Sequence, residues 1–515
     1  MKEKKLVRTL TYFYLIPFLV VVGFNVMNSL LRTGYFELHQ YVEIVIYDWN
    51  NPVLTLVATA MIILMLRFLL GREWLKNERL QYISMFWAGG ISLASILLFK
   101  AMAKCDSEAL DQAAVQFMQN NFEAFQAGEY FYMYPFQLGY TAFMELIYRL
   151  FGVEKYIIFQ LINMVCIVDI VYVMGRITWE LFEDENIYKL EMLLSMGMLP
   201  LFLLATFIYG DIPGWCMGVN AILAIIRYLK MDQWSYVLKA SGWLMIGIVM
   251  KNNMNILMVA AIIALLLHAI ERKKVKVLLW AVELLIVSQL GMLLVNGIYS
   301  YRLGADVPEG IPKIAWVAMS MQEPYEDGSA SGWYNGYNWN VYTENGFDRE
   351  ATTEACAENL KISIGEMISS PRYALSFFYD KFTSQWNEPT FMSLITNEWY
   401  SRNGKSQSEL AIFLLYGTGR EILYGIMKVY HFLLFLCAAA GGLTILKNWK
   451  LESAYFVLNI FGGMLFHMLW EAKSRYVMGY FVLLLPVAAY GFYQFADLEQ
   501  KLKLKSGKGA EKYDK

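Results

Sequence analysis

The chain has 515 residues, of which 57% are hydrophobic, 16% aromatic and only 17% charged, with a mean hydropathy of +0.39. These values lie far from the average of soluble globular proteins and exclude an ordinary soluble enzyme. The formal net charge of −2 indicates no particular partner, because a membrane protein segregates its charges by side. The composition therefore predicts a polytopic protein embedded in a lipid bilayer.

Thirteen apolar segments are candidates for transmembrane helices, since about 20 apolar residues cross the roughly 30 Å of bilayer hydrocarbon. They lie at 9–31, 52–70, 80–102, 137–152, 156–176, 190–209, 212–229, 237–250, 253–270, 276–298, 421–446, 453–470 and 476–495. The first is expected to remain as an anchor, because its apolar run exceeds that of a cleavable signal peptide. The pattern predicts an all-α polytopic membrane protein with about 12–13 transmembrane or partial helices.

Basic stretches predict which loops face the cytoplasm. They lie at 1–8, 71–79, 271–276 and 446–450 and in the Lys-rich C-terminal tail. The predicted organisation is 1–102, N-terminal transmembrane helices; 103–136, an extracytoplasmic catalytic loop; 137–298, a transmembrane core; 299–420, an extracytoplasmic domain; 421–496, C-terminal transmembrane helices; and 497–515, a cytoplasmic tail. The short loop 471–475 is also expected on the extracytoplasmic side.

The number of apolar segments between the outer loop 103–136 and the inner loop 271–276 presents a parity problem. Six segments lie there, whereas an odd number of crossings is required. We expect 137–152 or 156–176 to cross incompletely, since partial spans are tolerated where protein or a cavity shields them. A recessed cavity is therefore predicted beside the acidic loop.

The segment 104–139 is acidic, polar and helix-patterned, although hydrophobic runs flank it on both sides. A carboxylate held against the membrane in this way suggests a catalytic role for this segment. Asp106 is the leading candidate for the reactive group, Asp111 is its rival, and Glu108 is a weaker one. Asp106 also suits the N-cap of the helix that follows, so a structural role remains an alternative.

Aromatic and amide side chains alternate in the outer segment 299–420, most densely in GWYNGYNW at 332–339. This pattern suits a sugar, because its C–H face packs on aromatic rings while its hydroxyls need donors and acceptors. An aromatic belt at the membrane interface is the alternative explanation.

Several of these motifs, in their order along the chain, resemble the GT-C superfamily of membrane glycosyltransferases. The branch they resemble most includes the protein O-mannosyltransferases and the lipid A aminoarabinose transferase. The motifs are DSEALDQAAVQF, YPFQLG, FIYGDIPGW, IVMKNNMNI, IPKIAWVAMSM with GWYNGYN, and WEAKSRYVMGY. The resemblance covers most of residues 80–495 and implies a GT-C-like fold.

This resemblance implies an inverting transfer of a sugar from a polyprenyl-phosphate carrier to an extracytoplasmic glycan, lipid or protein. Asp106 matches the family's general base and Asp211 its second outer aspartate. Lys251 and Arg475 match its phosphate-binding cations, and Glu471 would orient Arg475. The residues expected to bind substrate are Tyr134, Gln137, Trp316, Trp333, Tyr334, Asn335 and Glu471.

Lys251 also stands out without the resemblance, because it interrupts the apolar stretch 240–270, where ionisable residues are costly and often functional. Snorkelling cations are the alternative for Lys251 and Arg475.

The four histidines are scattered and the cysteines follow no metal spacing, so the sequence predicts no metal site. A divalent cation bridging Asp106, Asp211 and phosphate stays open as a cofactor. Nucleotide-binding fingerprints are absent, and no nucleic-acid partner is expected. A transporter or flippase of lipid-linked sugars is the alternative function, and a noncatalytic envelope-assembly factor is a third. In every case the expected location is the cell membrane, with the active face outside.

Overall fold

The computed structural model describes residues 2–39, 42–72, 75–153, 155–324, 329–401 and 407–494. Within these ranges the chain is nearly all-α, as predicted, with one two-stranded antiparallel sheet. The Lys-rich tail predicted at 497–515 lies outside the described residues, as does the end of the C-terminal segment 421–496.

The N-terminal half alternates long apolar helices with short polar ones. Its elements are α1 (Lys2–Leu31), β1 (Arg32–His39), β2 (Val42–Trp49), α2 (Pro52–Leu70), α3 (Asn77–Phe99), α4 (Asp106–Met118), α5 (Tyr130–Met133), α6 (Leu138–Phe151), α7 (Ile157–Phe182), α8 (Glu185–Ser195), α9 (Leu199–Leu203), α10 (Asp211–Met231), α11 (Ser235–Met250), α12 (Asn255–Arg272) and α13 (Lys276–Leu303).

The C-terminal half begins with short helices and ends with long apolar ones. Its elements are α14 (Lys313–Met319), α15 (Tyr337–Glu344), α16 (Arg349–Ser369), α17 (Pro371–Trp386), α18 (Ser393–Ser401), α19 (Glu409–Tyr416), α20 (Thr418–Lys447), α21 (Leu451–Leu469), α22 (Ser474–Val482) and α23 (Leu484–Gln494).

Eight of the described helices are long and apolar enough to cross a membrane, which indicates a membrane protein. They are α1, α2, α3, α7, α10, α12 with the turn before it, α13 and α20. Two bent pairs, α8 with residues 199–206 and α22 with α23, raise the number to ten if each pair forms one span. The described residues thus hold eight to ten candidates for complete spans, and the sequence predicts 12–13 transmembrane or partial helices.

The predicted spans at 137–152 and 237–250 account for part of this difference. They form α6 and α11, helices of 14 and 16 residues that are shorter than a span requires. The segment 453–470 forms α21, which is not among the eight and which buries Asn459 and His467 in the protein interior. Of the two segments expected to cross incompletely, 137–152 is short, whereas 156–176 belongs to the 26-residue helix α7.

Helix α10 lies at the centre of the bundle and α2 at its edge. In the most apolar window of α10 83% of the residues are buried, against 17% in α2. Helix α10 contacts α7, α11 and α21, so the residues that begin it are held from several sides. The loop before α10 carries Tyr209 and Gly210, and this loop contributes to the site described below.

Strands β1 and β2 form a hairpin between α1 and α2 that the sequence reasoning did not predict. Their register runs from Arg32 opposite Trp49 to His39 opposite Val42. The second strand, VEIVIYDW, is rich in the β-branched and aromatic residues that favour strands. The hairpin packs on α17, where the Tyr47 hydroxyl lies 3.0 Å from that of Thr383.

Part of the segment 299–420, predicted as an extracytoplasmic domain, packs into the main bundle within its described residues. Phe382, Trp386, Phe391 and Tyr400 belong to the main hydrophobic core of the bundle. Asn397 donates a hydrogen bond to the carbonyl of Leu203 in α9. Helices α17 and α18 are therefore built into the helical core, while α14 to α16 pack on one another beside it.

Candidate functional site

A cavity of about 370 Å³ lies where the acidic loop, the break before α10 and the loop before α22 meet. We call it the central cavity. Charged and aromatic side chains dominate its lining, and they come from segments far apart in the sequence, from Glu43 to Tyr476. They include Glu43, Asp106, Tyr134, Gln137, Tyr209, Lys251, Trp316, Tyr334, Asn338, Trp470, Glu471, Lys473, Arg475 and Tyr476. A cavity therefore exists beside the acidic loop, where the parity problem placed one.

Asp106 is the first residue of α4 and is exposed to the central cavity. The N-cap position belongs to Cys105, whose φ is 51° and whose side chain makes no capping hydrogen bond. The Asp106 side chain instead accepts a hydrogen bond at Oδ2 from the Tyr209 hydroxyl, over 3.1 Å. Its carboxylate thus faces the cavity, and the alternative of a simple N-cap does not describe this geometry.

Asp111, the rival candidate, is not among the residues that line the central cavity. It lies just over one helical turn further along α4 and accepts a hydrogen bond from the Tyr148 hydroxyl of α6. Burial raises the pKa of Asp111 above its usual value. The placement separates the two aspartates, because only Asp106 can meet a substrate held in this cavity.

The chain break before α10 faces the break between α11 and α12. Gly210 adopts the left-handed region with φ of 82°, and a Cβ atom at this position would overlap the carbonyl oxygen of Met250. Only glycine combines this φ with so close an approach. This contact holds Tyr209 and Asp211 against Lys251, the residue that follows Met250.

Asp211 and Lys251 form an ion pair at this junction, with 3.0 Å between Lys251 Nζ and Asp211 Oδ2. Lys251 lines the central cavity, whereas Asp211 lies behind it and does not. The Lys251 ammonium also lies 4.0 Å from the centroid of the Tyr209 ring, a cation–π contact. Asp211 is therefore placed to hold Lys251 and not to touch a substrate.

Arg475 differs from the other two cations of the cavity. Lys251 pairs with Asp211 and Lys473 pairs with Glu43, but no described carboxylate pairs with Arg475. Its guanidinium lies 4.1 Å from the centroid of the Phe207 ring, and its Nε atom is buried without a hydrogen-bond partner among the described residues. A cation held in this way retains its donors for an anionic ligand.

The ion pair between Glu43 and Lys473 is a feature of the cavity that sequence reasoning missed. Lys473 Nζ lies 3.0 Å from Oε1 and 3.1 Å from Oε2 of Glu43. Glu43 comes from β2, so the hairpin reaches the cavity from outside the region that carries the family resemblance. The strand-like pattern of 42–49 could have predicted the hairpin, but it could not have predicted that Glu43 pairs with Lys473.

The predicted aromatic residues divide between the cavity wall and the interior. Trp316 lines the cavity and stacks on Trp470, with 5.9 Å between ring centroids and 5° between planes. Tyr134 contacts Trp316, and the half-exposed Tyr334 lines the same wall. Together these rings offer flat apolar faces to a ligand.

Two of the predicted site residues in the GWYNGYNW motif do not reach the central cavity. Trp333 is buried and donates a hydrogen bond to Ser384. Asn335 accepts a hydrogen bond from the backbone N–H of Tyr337 and donates one to Gln322, so it shapes the turn. Asn338 belongs to the cavity wall but is fully buried, and its Oδ1 accepts from Trp339 N–H.

Gln137 and Glu471 both line the cavity, but each bonds to a tyrosine. Gln137 Nε2 donates to the Tyr209 hydroxyl over 2.6 Å. Glu471 Oε1 accepts from the Tyr476 hydroxyl over 2.9 Å, and burial raises the pKa of Glu471. The expected orienting hydrogen bond from Arg475 to Glu471 is not among the contacts of the described residues.

The arrangement does not fit a divalent cation between Asp106 and Asp211. The Lys251 ammonium occupies the Asp211 carboxylate, and Asp211 does not line the cavity. In the part of the chain that the structure describes, no three His, Cys, Asp or Glu side chains come together as a metal site would require.

A second cavity, of about 560 Å³, lies between the hairpin and helices α18 and α20. It is larger than the central cavity, but apart from Arg420, paired with Glu398, and His39 its charged lining residues are carboxylates. Ile395 lines both cavities, so they share part of a wall. None of the predicted site residues lines this second cavity.

No protein-family model matches the chain, and a search of curated proteins finds no match either.

Proposed function

We propose that the protein is an inverting membrane glycosyltransferase that moves a sugar from a polyprenyl-phosphate carrier to an extracytoplasmic acceptor. The observation that carries this proposal is the shared cavity of an exposed carboxylate, Asp106, and a cation without a carboxylate partner, Arg475. Transfer from a phosphate ester needs both a base for the acceptor and a binding group for the leaving phosphate. The sequence resemblance to GT-C enzymes supports the same reaction.

The cations of the cavity suit a sugar phosphate diester, which carries one negative charge. Arg475 would bind the phosphate through its planar guanidinium, whose geometry matches two phosphate oxygens. Lys251 already balances Asp211, so the pair adds no net charge. Its positive end would nevertheless face the phosphate, because only Lys251 of the two lines the cavity. The exposed apolar faces of the transmembrane helices would hold the polyprenyl chain.

Asp106 would act as the general base. The acceptor hydroxyl gives its proton to the Asp106 carboxylate while its oxygen bonds to the anomeric carbon. The bond from that carbon to the phosphate oxygen breaks, and its electron pair leaves with the phosphate at Arg475. Attack from the side opposite the phosphate inverts the anomeric carbon. A positioned base of this kind typically contributes about 10²–10⁴-fold to the rate.

The aromatic wall would bind the sugar. The parallel rings of Trp316 and Trp470 lie on the cavity side of α14 and before α22, next to Tyr134. Their faces suit the C–H groups of a pyranose. Asp106 would then be available to take the proton of the acceptor hydroxyl.

Asp106→Asn tests the proposal because it keeps the size of the side chain and removes its basicity. Purified protein in proteoliposomes is given farnesyl-phosphate esters of radiolabelled hexoses and pentoses, with the lipid and glycan extract of the source membrane as acceptor. We expect transfer by the parent protein and a loss of about 10²–10⁴-fold in the variant. Glu108→Gln is the control, since Glu108 is exposed on the same helix and does not line the cavity.

Two outcomes contradict the proposal. Full transfer by Asp106→Asn, at equal protein level, removes Asp106 as the base. Movement of labelled donor between leaflets without any transferred product replaces the enzyme with a transporter of lipid-linked sugars.

A further inference from the structure

Tyr209 is the side chain that touches both halves of the proposed site. Its hydroxyl donates to Asp106 Oδ2 over 3.1 Å, and its ring face lies 4.0 Å from the ammonium of Lys251. Tyr209 lines the central cavity but is only 7% exposed, so its ring has little freedom to turn.

The direction of the hydrogen bond to Asp106 is fixed by the other neighbours of the Tyr209 hydroxyl. Gln137 donates its amide N–H to this oxygen over 2.6 Å, and the Tyr130 hydroxyl lies 3.2 Å away. A phenol has one proton to donate and two lone pairs to accept with. Gln137 Nε2 can only donate and an ionised carboxylate can only accept, so the Tyr209 proton is directed to Asp106.

The backbone fixes the ring as well. Tyr209 precedes Gly210, whose contact with Met250 joins the two chain breaks. Lys251 Nζ also lies 3.4 Å from the carbonyl oxygen of Tyr209. Both the ring and the backbone of Tyr209 therefore follow the position of Lys251.

We propose that Tyr209 is a positioning residue that orients the Asp106 carboxylate and couples it to the Lys251 ammonium, an inference that rests on the proposed function. The hydrogen bond occupies Oδ2 and leaves Oδ1, which has no hydrogen bond among the described residues, to receive the acceptor proton. The ring meanwhile holds Lys251 at the phosphate side of the cavity. Tyr209 thereby fixes the position of the base relative to the leaving-group site.

Tyr209→Phe separates the two contacts, because it removes the hydroxyl and keeps the ring. We expect kcat to fall about tenfold, because the carboxylate is no longer held in its productive orientation, with the KM for farnesyl-phosphate hexose unchanged.

Other charged groups face Asp106 and must stay constant in this experiment. They are Glu43, Lys251, Glu471, Lys473 and Arg475, together with the Cys105 thiol. Burial, with the neighbouring Asp106 charge, raises the pKa of the Tyr209 phenol well above its usual value, so this group is a proton donor near neutral pH. Tyr209→Phe changes none of the other charges, and a fall in kcat therefore reports on the lost hydroxyl.

Tyr209→Leu removes the ring as well and should raise the KM for the same donor, in addition to the effects of Tyr209→Phe. Tyr132→Phe is the control, since Tyr132 belongs to the same short helix as Tyr130 but stacks on Tyr342 away from the cavity. The melting temperature in detergent verifies that each variant is folded.

A kcat that is the same in Tyr209→Phe and the parent overturns the positioning role, as does a tenfold loss that lies in KM alone. The proposed function then still stands, provided Asp106→Asn has lost transfer. If Asp106→Asn retains transfer, the proposed function itself has failed, whatever Tyr209→Phe shows.

Discussion

Lys251 and Asp211 form an ion pair of 3.0 Å across the junction of two broken helices, and their side chains are 9% and 12% exposed. Removing one partner of such a pair leaves a charge with little solvent, which is strongly destabilising. The pair therefore affects both the stability of the fold and the electrostatic potential in the cavity, because Lys251 lines the cavity while Asp211 lies behind it.

Asp211→Asn should lower stability by about 3 kcal/mol, since it leaves the Lys251 ammonium without a counter-charge. The melting temperature of the purified protein in detergent measures this loss. Adding Lys251→Met removes the unpaired charge, so we expect the double variant to regain much of the melting temperature without regaining sugar transfer. A single variant as stable as the parent would show that the ion pair contributes little.

The order of motifs along the chain predicts many of the residues that form this site, but it does not predict their geometry. Asp106, Lys251 and Arg475 were expected to meet, and the structure brings all three to one cavity. Asp211 carries the same kind of charge as Asp106, yet its carboxylate is held behind Lys251. The sequence predicts which side chains are charged, while the direction of each side chain depends on the packing of distant helices.

In the aromatic motif at 332–339, too, the sequence does not predict the direction of each side chain. Trp333, Tyr334 and Asn335 are consecutive, but of these three only Tyr334 lines the cavity. The turn of the chain at Gly332 and Gly336, both with positive φ, directs the neighbouring side chains to different sides. Hydrophobic periodicity carries no such information, because the motif is neither a regular helix nor a strand.

Arg475→Lys should raise the donor KM about tenfold to a hundredfold, although it conserves the charge. A lysine cannot form the paired hydrogen bonds that a guanidinium makes to phosphate, and hydrogen bonds to charged groups are worth about 1.5–3 kcal/mol. Steady-state kinetics with farnesyl-phosphate hexose measures the effect.

Arg372→Lys is the matched control, because Arg372 is exposed at the start of α17 and does not line the cavity. An unchanged donor KM in Arg475→Lys would show that the guanidinium does not bind the phosphate.

Glu43 and Lys473 join the hairpin to the loop before α22, so we expect their charges to act as a pair. Glu43→Lys and Lys473→Glu each place like charges about 3 Å apart and should lower transfer at least tenfold. The double variant restores an opposite pair in reversed order and should recover most of the activity. Coupled residues in direct contact typically show interaction energies of about 0.5–3 kcal/mol.

Additive losses in the double variant would mean that the two residues act independently. The contact between the hairpin and the loop before α22 would then make no contribution of its own to transfer.

Cys105 offers a test of which face of the membrane bears the site. It is exposed and lines the central cavity, whereas Cys166, Cys216, Cys356 and Cys437 are buried. A membrane-impermeant maleimide should therefore label intact cells or right-side-out vesicles at one position, and Cys105→Ser should abolish the signal. Labelling only in inverted vesicles would place the cavity on the cytoplasmic side.

The pH dependence of this labelling reports on Asp106. Burial, with the carboxylates of Asp106 and Glu43, raises the pKa of the Cys105 thiol. The thiolate is the reactive form, so the labelling rate should rise with pH and lag behind that of a free thiol. Asp106→Asn removes a nearby negative charge, lowers the pKa of Cys105 and should speed labelling at any pH below that value. An equal rate in both proteins would show that the Asp106 charge does not act on the Cys105 thiol.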